Sequence, residues 1–132
     1  MDFDVNWLAV LAGTIAHQGL GGLWYGVIFK NTWLEGMGKR PEEIEEGSAG
    51  GEMVLGGFAS LVSVTTLALI MTALEDPTVA DGATLGAMAG VGFVTVATFM
   101  NGAYEQKKPV LSALFGGYYS LGLMIAGAIL GA

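Results

Sequence analysis

At 132 residues the chain is one domain in size, and its 53% hydrophobic content and mean hydropathy of +0.61 are too apolar for an ordinary soluble domain. A net charge of −7 and a pI near 4.3 exclude nucleic acid as a partner and argue against docking on anionic lipid through a polybasic patch. There is no Cys, so disulfides, thiolate metal sites and thiol nucleophiles are excluded, and the redox compartment is not readable from cysteine usage. Strong acidity with few lysines is consistent with a halophilic source.

The chain begins Met1-Asp2-Phe3-Asp4, an acidic start where a signal peptide carries basic residues, so the first apolar run is expected to be a retained span. Span one is predicted over 7–29, about 34 Å as a helix. Trp7 at one end and Trp24, Tyr25 and Trp33 near the other are expected interfacial anchors. Loop one, 30–52, is the only sizeable soluble segment. Its Pro41-Glu42-Glu43-Ile44-Glu45-Glu46 run predicts a short helix with Pro in its first turn, followed by a flexible return over 47–51. The four glutamates read as a solvated acidic turn, because successive acids do not converge like a metal cage.

Span two is predicted over 53–74, where Glu75-Asp76-Pro77 stops it. Span three covers 83–104 and span four 110–130, with the short turn Glu105-Gln106-Lys107-Lys108-Pro109 between them. All five basic residues, Lys30, Lys39, Arg40, Lys107 and Lys108, fall in loops one and three. The N-terminal tail and loop two carry Asp2, Asp4, Glu75, Asp76 and Asp81 and no basic residue. The positive-inside rule therefore places loops one and three in the cytoplasm and both termini outside. The predicted fold is an all-α membrane protein, a Gly-rich bundle of four transmembrane helices in the cytoplasmic membrane, forming a single integral domain over 1–132.

The 22 glycines are about twice the usual share. In water a mid-helix Gly costs about 1 kcal/mol relative to Ala. In lipid it permits the close backbone approach on which helix association depends. Gly22 and Gly26, Gly82 with Gly86 and Gly90, and Gly127 with Gly131 stand in small-xxx-small spacing. Ser112, Gly116 and Ser120 continue toward Gly127 along one stripe of span four. These residues are expected to pack helices within the bundle first and between protomers second.

Polar groups inside a span are costly without partners. His17 and Gln18 fall near the midplane of span one, Ser63 and Thr95 reach similar depth, and Tyr118 and Tyr119 come within about one turn of it. A polar layer of His17, Gln18, Tyr118 and Tyr119 is therefore expected in the bundle core. Its simplest role is a neutral His17 hydrogen-bonded to a tyrosine or a carbonyl, gluing helices together. The functional alternatives are a proton or small-solute path through a titrating His17 and, more remotely, a haem ligand in a homodimer. No acid stands beside His17, so hydrolytic or proton-pumping chemistry is not supported. Asn101 and Glu105, four residues apart, share a helix face near the depth of Trp24 and Tyr25. Glu105 is expected to cap the boundary and pair with Lys107 or Lys108, with a cytoplasmic mouth of Trp24, Tyr25, Asn101 and Glu105 as the alternative.

Asn6-Trp7-Leu8-Ala9-Val10, Gly22-Leu23-Trp24-Tyr25, Trp33, Asn101-Gly102-Ala103-Tyr104-Glu105, Gly117-Tyr118 and Gly127-Ala128-Ile129-Leu130-Gly131 form a pattern spread over nearly the whole chain. It resembles the small prokaryotic membrane proteins grouped as domain of unknown function 1761. That pattern usually has Phe before the glutamate, where this chain has Tyr104, and a Trp after the final Gly, where it has Ala132. The resemblance implies four spans and carries no activity.

With no nucleophile–base pair, metal cluster or phosphate-cradling loop, the expected role is a non-enzymatic structural or accessory one, with no cofactor and no metal. The expected partners are the lipid bilayer and either copies of the chain or other membrane subunits. A small-solute or ion channel or transporter built around His17 ranks second, and a lipid-modifying or cofactor-binding enzyme a distant third.

Overall fold

A computed structural model describes residues 4–39 and 50–132. Helix α1 spans Trp7–Leu23, capped by the Asn6 side chain, which accepts from the Ala9 N–H. It runs without a break into a π-helical turn, Trp24–Ile28. Helix α2 (Lys30–Met37) follows directly. Helix α3 covers Gly50–Met71. Helix α4 runs Val79–Tyr104 and contains a second π-helical turn, Gly90–Thr95. Helix α5 spans Pro109–Leu130. No strand occurs among the described residues. Arg40, the acidic run 41–46 and most of the return after it lie outside them.

Three helices, α3, α4 and α5, are long and apolar enough to cross a membrane. The regular part of α1 is 17 residues long and carries His17 and Gln18, which lower its hydropathy. The exterior is apolar: Leu8, Val27, Val54 and Phe93 are 70–78% exposed. A surface of that kind suits hydrocarbon and is rare on a soluble monomer.

Helix boundaries depart from the sequence expectations where local hydrogen bonding decides them. Lys30–Met37, expected as loop, is helical because the chain leaves the first π turn already in register. The Phe29 N–H donates to the Trp24 carbonyl at 2.8 Å, and the Trp33 N–H donates to the Phe29 carbonyl at 2.8 Å. Gly38, with φ +68°, ends the helix in the left-handed conformation that glycine adopts without a Cβ penalty. Gly50 and Gly51, expected in a flexible return, form the first turn of α3. That helix stops at Met71 because Ala73 and Leu74 turn back to Ile70 and Met71 by i→i−3 bonds. Helix α4 starts at Val79, four residues before the expected 83. Thr78 and Asp81 make a reciprocal capping box there, so Asp81 belongs to the first turn.

Helix α5 is the hub and contacts each of α1 to α4. Its closest neighbour is α4. A Cβ on Gly82 would strike the Gly127 carbonyl, one on Gly86 the Leu123 carbonyl, and one on Gly90 the Cα of Ser120. A Cβ on Gly116 would lie 2.7 Å from Thr95 Oγ1. The stripe read in α5 therefore meets the glycine stripe of α4 inside one chain. Gly131 closes on the Thr78 carbonyl in the same way. A Cβ on Gly22 or Gly26 would meet nothing within 4 Å among the described residues, so equal spacing hides two different surroundings. Apolar clusters of Val10, Val64, Ala68 and Ala126, and of Leu67, Met71 and Leu123, fill the half of the molecule opposite α2.

The α4–α5 turn holds Gln106 at φ +59°, with its N–H bonded to the Ala103 carbonyl and the Lys107 N–H bonded to the Gly102 carbonyl. This is a helix C-terminus of the kind glycine favours. Left-handed backbone costs a residue with a Cβ about 1–2 kcal/mol, partly offset by the extra chain entropy glycine loses on folding. Gln106→Gly is accordingly expected to stabilise the protein by about 0.5–1 kcal/mol, measured as a shift in the denaturation midpoint in detergent.

Candidate functional site

His17 is fully buried, with 0% exposure. It projects from α1 into a notch that α5 forms with Tyr118, Tyr119 and Gly122. The imidazole lies 5.0 Å from the Tyr118 ring and 4.6 Å, edge-on, from the Tyr119 ring. Gly122 is required there, since a Cβ would lie 2.6 Å from His17 Cδ2. The side-chain volume that the ring needs is vacated by one residue on the facing helix.

Hydrogen bonding and burial together favour one tautomer. Ser60 Oγ donates to Gln18 Oε1 at 3.3 Å, so at 2.7 Å from His17 Nδ1 it accepts the Nδ1 proton. The Tyr118 hydroxyl donates to the His17 carbonyl at 3.1 Å and stands 3.0 Å from Nδ1. Gln18 Nε2 donates to the Met53 carbonyl at 3.3 Å. His17 Nε2 is left buried with no partner among the described residues. As a bare lone pair it costs less than an unpaired N–H donor in the same place, which selects the neutral Nδ1–H form.

His17, Gln18, Tyr118 and Tyr119 thus lie in one region and tie α1 to α3 and α5. Ser63 joins through the Tyr119 hydroxyl at 2.7 Å. Thr95 instead bonds Ser120 on α5 at 3.1 Å, away from the histidine. Ser60, the residue that accepts from His17, was missed by sequence reasoning. Its signal was present: it lies one helical turn before Ser63 and so shares that residue's face.

The second cluster is divided between a groove and the Glu105–Lys107 ion pair, the pairing expected for Glu105. A groove of about 570 Å³ opens between α2 and the second half of α4, floored by the first half of α5. Tyr25 and Asn101 line it, with Trp33, Leu111, Phe115 and Lys107 among the remaining walls. Trp24 does not line it. Its ring packs on α5, where a Cβ on Gly117 would lie 3.2 Å from Cζ2, and against Phe29 at 4.6 Å. Glu105 stands behind the groove. Its Oε2 receives Lys107 Nζ at 2.9 Å and its Oε1 receives Asn101 Nδ2 at 3.2 Å. The hydrogen bond from Lys107, then that from Asn101, holds the Glu105 carboxyl below its ordinary range. Lys107 and Glu105 are 55% and 48% exposed, so their pair adds little to stability. Trp33 and Met37 were not foreseen as lining residues because α2 was read as loop. Gly36 lets that helix lie on α5, where a Cβ would come 2.8 Å from Leu111 Cδ2.

The family model described as Protein of unknown function (DUF1761) matches residues 8–131. The chain belongs to this family. Among curated proteins and among solved structures, none matches it. In this DUF1761 chain the residues that carry the resemblance converge on the two clusters. Gly22-Leu23-Trp24-Tyr25 leads into the first π turn, Gly117-Tyr118 borders the histidine notch, and Asn101 with Glu105 stands at the groove. Gly127 and Gly131 instead serve the α4–α5 contact.

Proposed function

We propose that the chain is a four-span α-helical subunit of the cytoplasmic membrane, with both termini outside, serving a membrane assembly as a structural or accessory component rather than as an enzyme. One observation carries this reading. His17 is fully buried and engages Ser60 of α3 through Nδ1, while its own carbonyl accepts from α5. The polar centre is thus consumed by helix packing. A Cβ on Gly22 or Gly26 would meet nothing within 4 Å among the described residues, which leaves an open face on α1 and the first π turn for a second helix and supports a homo-oligomer or a larger complex. Basic residues gathered in loops one and three support the orientation.

The test is native mass spectrometry of the protein gently extracted from its own membrane. A defined homo-oligomer or a second polypeptide is the expected result, and a bare monomer overturns the reading. Orientation is read separately, since the chain has no native cysteine. In intact cells Glu75→Cys is expected to react with an impermeant maleimide and Lys108→Cys to react only after permeabilisation.

A second reading, a small-solute or ion path, draws on the unpartnered Nε2 of His17. It requires flux in liposomes that falls in His17→Ala and Tyr118→Phe while assembly is kept. Equal flux in both variants and in wild type removes it.

A further inference from the structure

We propose that the groove between α2, α4 and α5 binds one anionic phospholipid of the surrounding leaflet, with the headgroup at Lys107 and an acyl chain along Ala97, Leu111 and Phe115. The proposal rests on the four-span reading, which sets the groove at the membrane boundary where the basic loops lie.

The walls have two kinds of surface. Met37, Ala97, Leu111 and Phe115 make an apolar bed, and the Tyr25 and Trp33 rings, 5.3 Å apart and edge-on, close one side of it. Its volume of about 570 Å³ falls within the range of small-molecule sites. That is enough for a headgroup-proximal stretch of one lipid and too little for a protein segment. Ala97, Asn101, Lys107 and Phe115 are exposed, so the bed is open from the side that faces hydrocarbon.

The polar groups select the sign of the headgroup. Lys107 lines the groove, and among the described residues no carboxylate does. Glu105, two residues before Lys107, has both oxygens engaged, by Lys107 Nζ and by Asn101 Nδ2. One of the three ammonium protons of Lys107 is used there, and two remain for an incoming phosphate. The ion pair also holds the ammonium at the rim. The Tyr25 hydroxyl has no partner among the described hydrogen bonds and supplies a further donor. Lys108 sits at the same rim, its Nζ 3.5 Å from the Glu35 carbonyl of α2. The Thr98 and Ser112 hydroxyls donate to the Val94 and Thr98 carbonyls. This is a single-lipid site recognised by one lysine, so it is compatible with an acidic protein that has no polybasic surface.

The experiment uses the full chain in mixed micelles carrying equal phosphatidylglycerol and phosphatidylcholine, with native mass spectrometry counting the lipid retained per protomer. Wild type is expected to keep one phosphatidylglycerol in preference to phosphatidylcholine. Lys107→Gln is expected to lower that preference about fivefold, the share of one basic residue at a membrane surface. Glu105→Gln frees Lys107 and is expected to raise it. Ala97→Trp fills the exposed bed and is expected to abolish retention of both lipids, with helix content unchanged by circular dichroism. Equal retention of the two lipids by wild type, or undiminished retention by Ala97→Trp, overturns the proposal. The Glu75→Cys and Lys108→Cys labelling reports the four-span orientation independently, so failure of the site and failure of the topology are told apart.

Discussion

Gly82→Leu and Gly127→Leu are each expected to lose the folded monomer, or to lower its stability by at least about 3 kcal/mol, the upper end of overpacking costs. At each position the added Cβ meets the carbonyl of the other glycine. Backbone is the obstacle, so no side chain can swing away to relieve the clash. Separating α4 from α5 would also strip the contacts along Gly86 and Gly90, since these glycines form one continuous seam. A typical domain has only about 5–15 kcal/mol in hand, so a loss of this size is visible as a collapsed denaturation midpoint in detergent, followed by helix circular dichroism. Gly22→Leu and Gly26→Leu have the same spacing and open surroundings. They are expected to leave monomer stability within about 0.5 kcal/mol of wild type. If all four substitutions behaved alike, the α4–α5 seam would not be what holds the monomer together.

His17→Ala is expected to destabilise by about 2–4 kcal/mol, and most of that comes from the cavity rather than the hydrogen bonds. Interhelical hydrogen bonds in membrane proteins average only about 0.6 kcal/mol, and losing the Ser60 partnership accounts for about that much, since the Tyr118 bond goes to the main-chain carbonyl that alanine keeps. Removing a large buried side chain from a packed notch supplies the remainder, as large-to-small core substitutions do at about 2–5 kcal/mol. The notch predicts a specific coupling. Gly122→Ala alone is expected to destabilise, because its Cβ would lie 2.6 Å from His17 Cδ2. In the His17→Ala background the same change has room and costs little. A double-mutant cycle should therefore return an interaction of about 1 kcal/mol or more. Strict additivity would place His17 outside that notch and weaken the structural reading of the polar layer.

The two clusters were legible to different degrees. His17, Gln18, Tyr118 and Tyr119 were found by depth along their helices, because a bundle aligns residues at similar height whichever way it packs. Depth alone could not tell Ser60 from Ser63, which differ by one turn and serve different partners, His17 and Tyr119. The groove was half seen. Tyr25 and Asn101 lie in it, whereas Trp24 turns into α5 and Glu105 stands behind Lys107. Trp24 and Tyr25 are consecutive on a helix, so they point to different surroundings, and the first π turn delivers the chain into α2.

Sequence by itself determined the helical character, the approximate ends of the apolar segments, the family and the set of polar residues at mid-depth. These are one-dimensional properties: hydropathy, charge placement and rise per residue need no knowledge of neighbours. The tertiary structure alone decided which glycines are spent inside the chain and which face outward, that α2 is a helix with Trp33 and Met37 against the groove, and that Nε2 of His17 goes without a partner among the described residues. Each of these depends on what stands opposite. A glycine packs helices only where another backbone approaches it, and a polar atom is satisfied only where a facing helix brings the complementary group within reach.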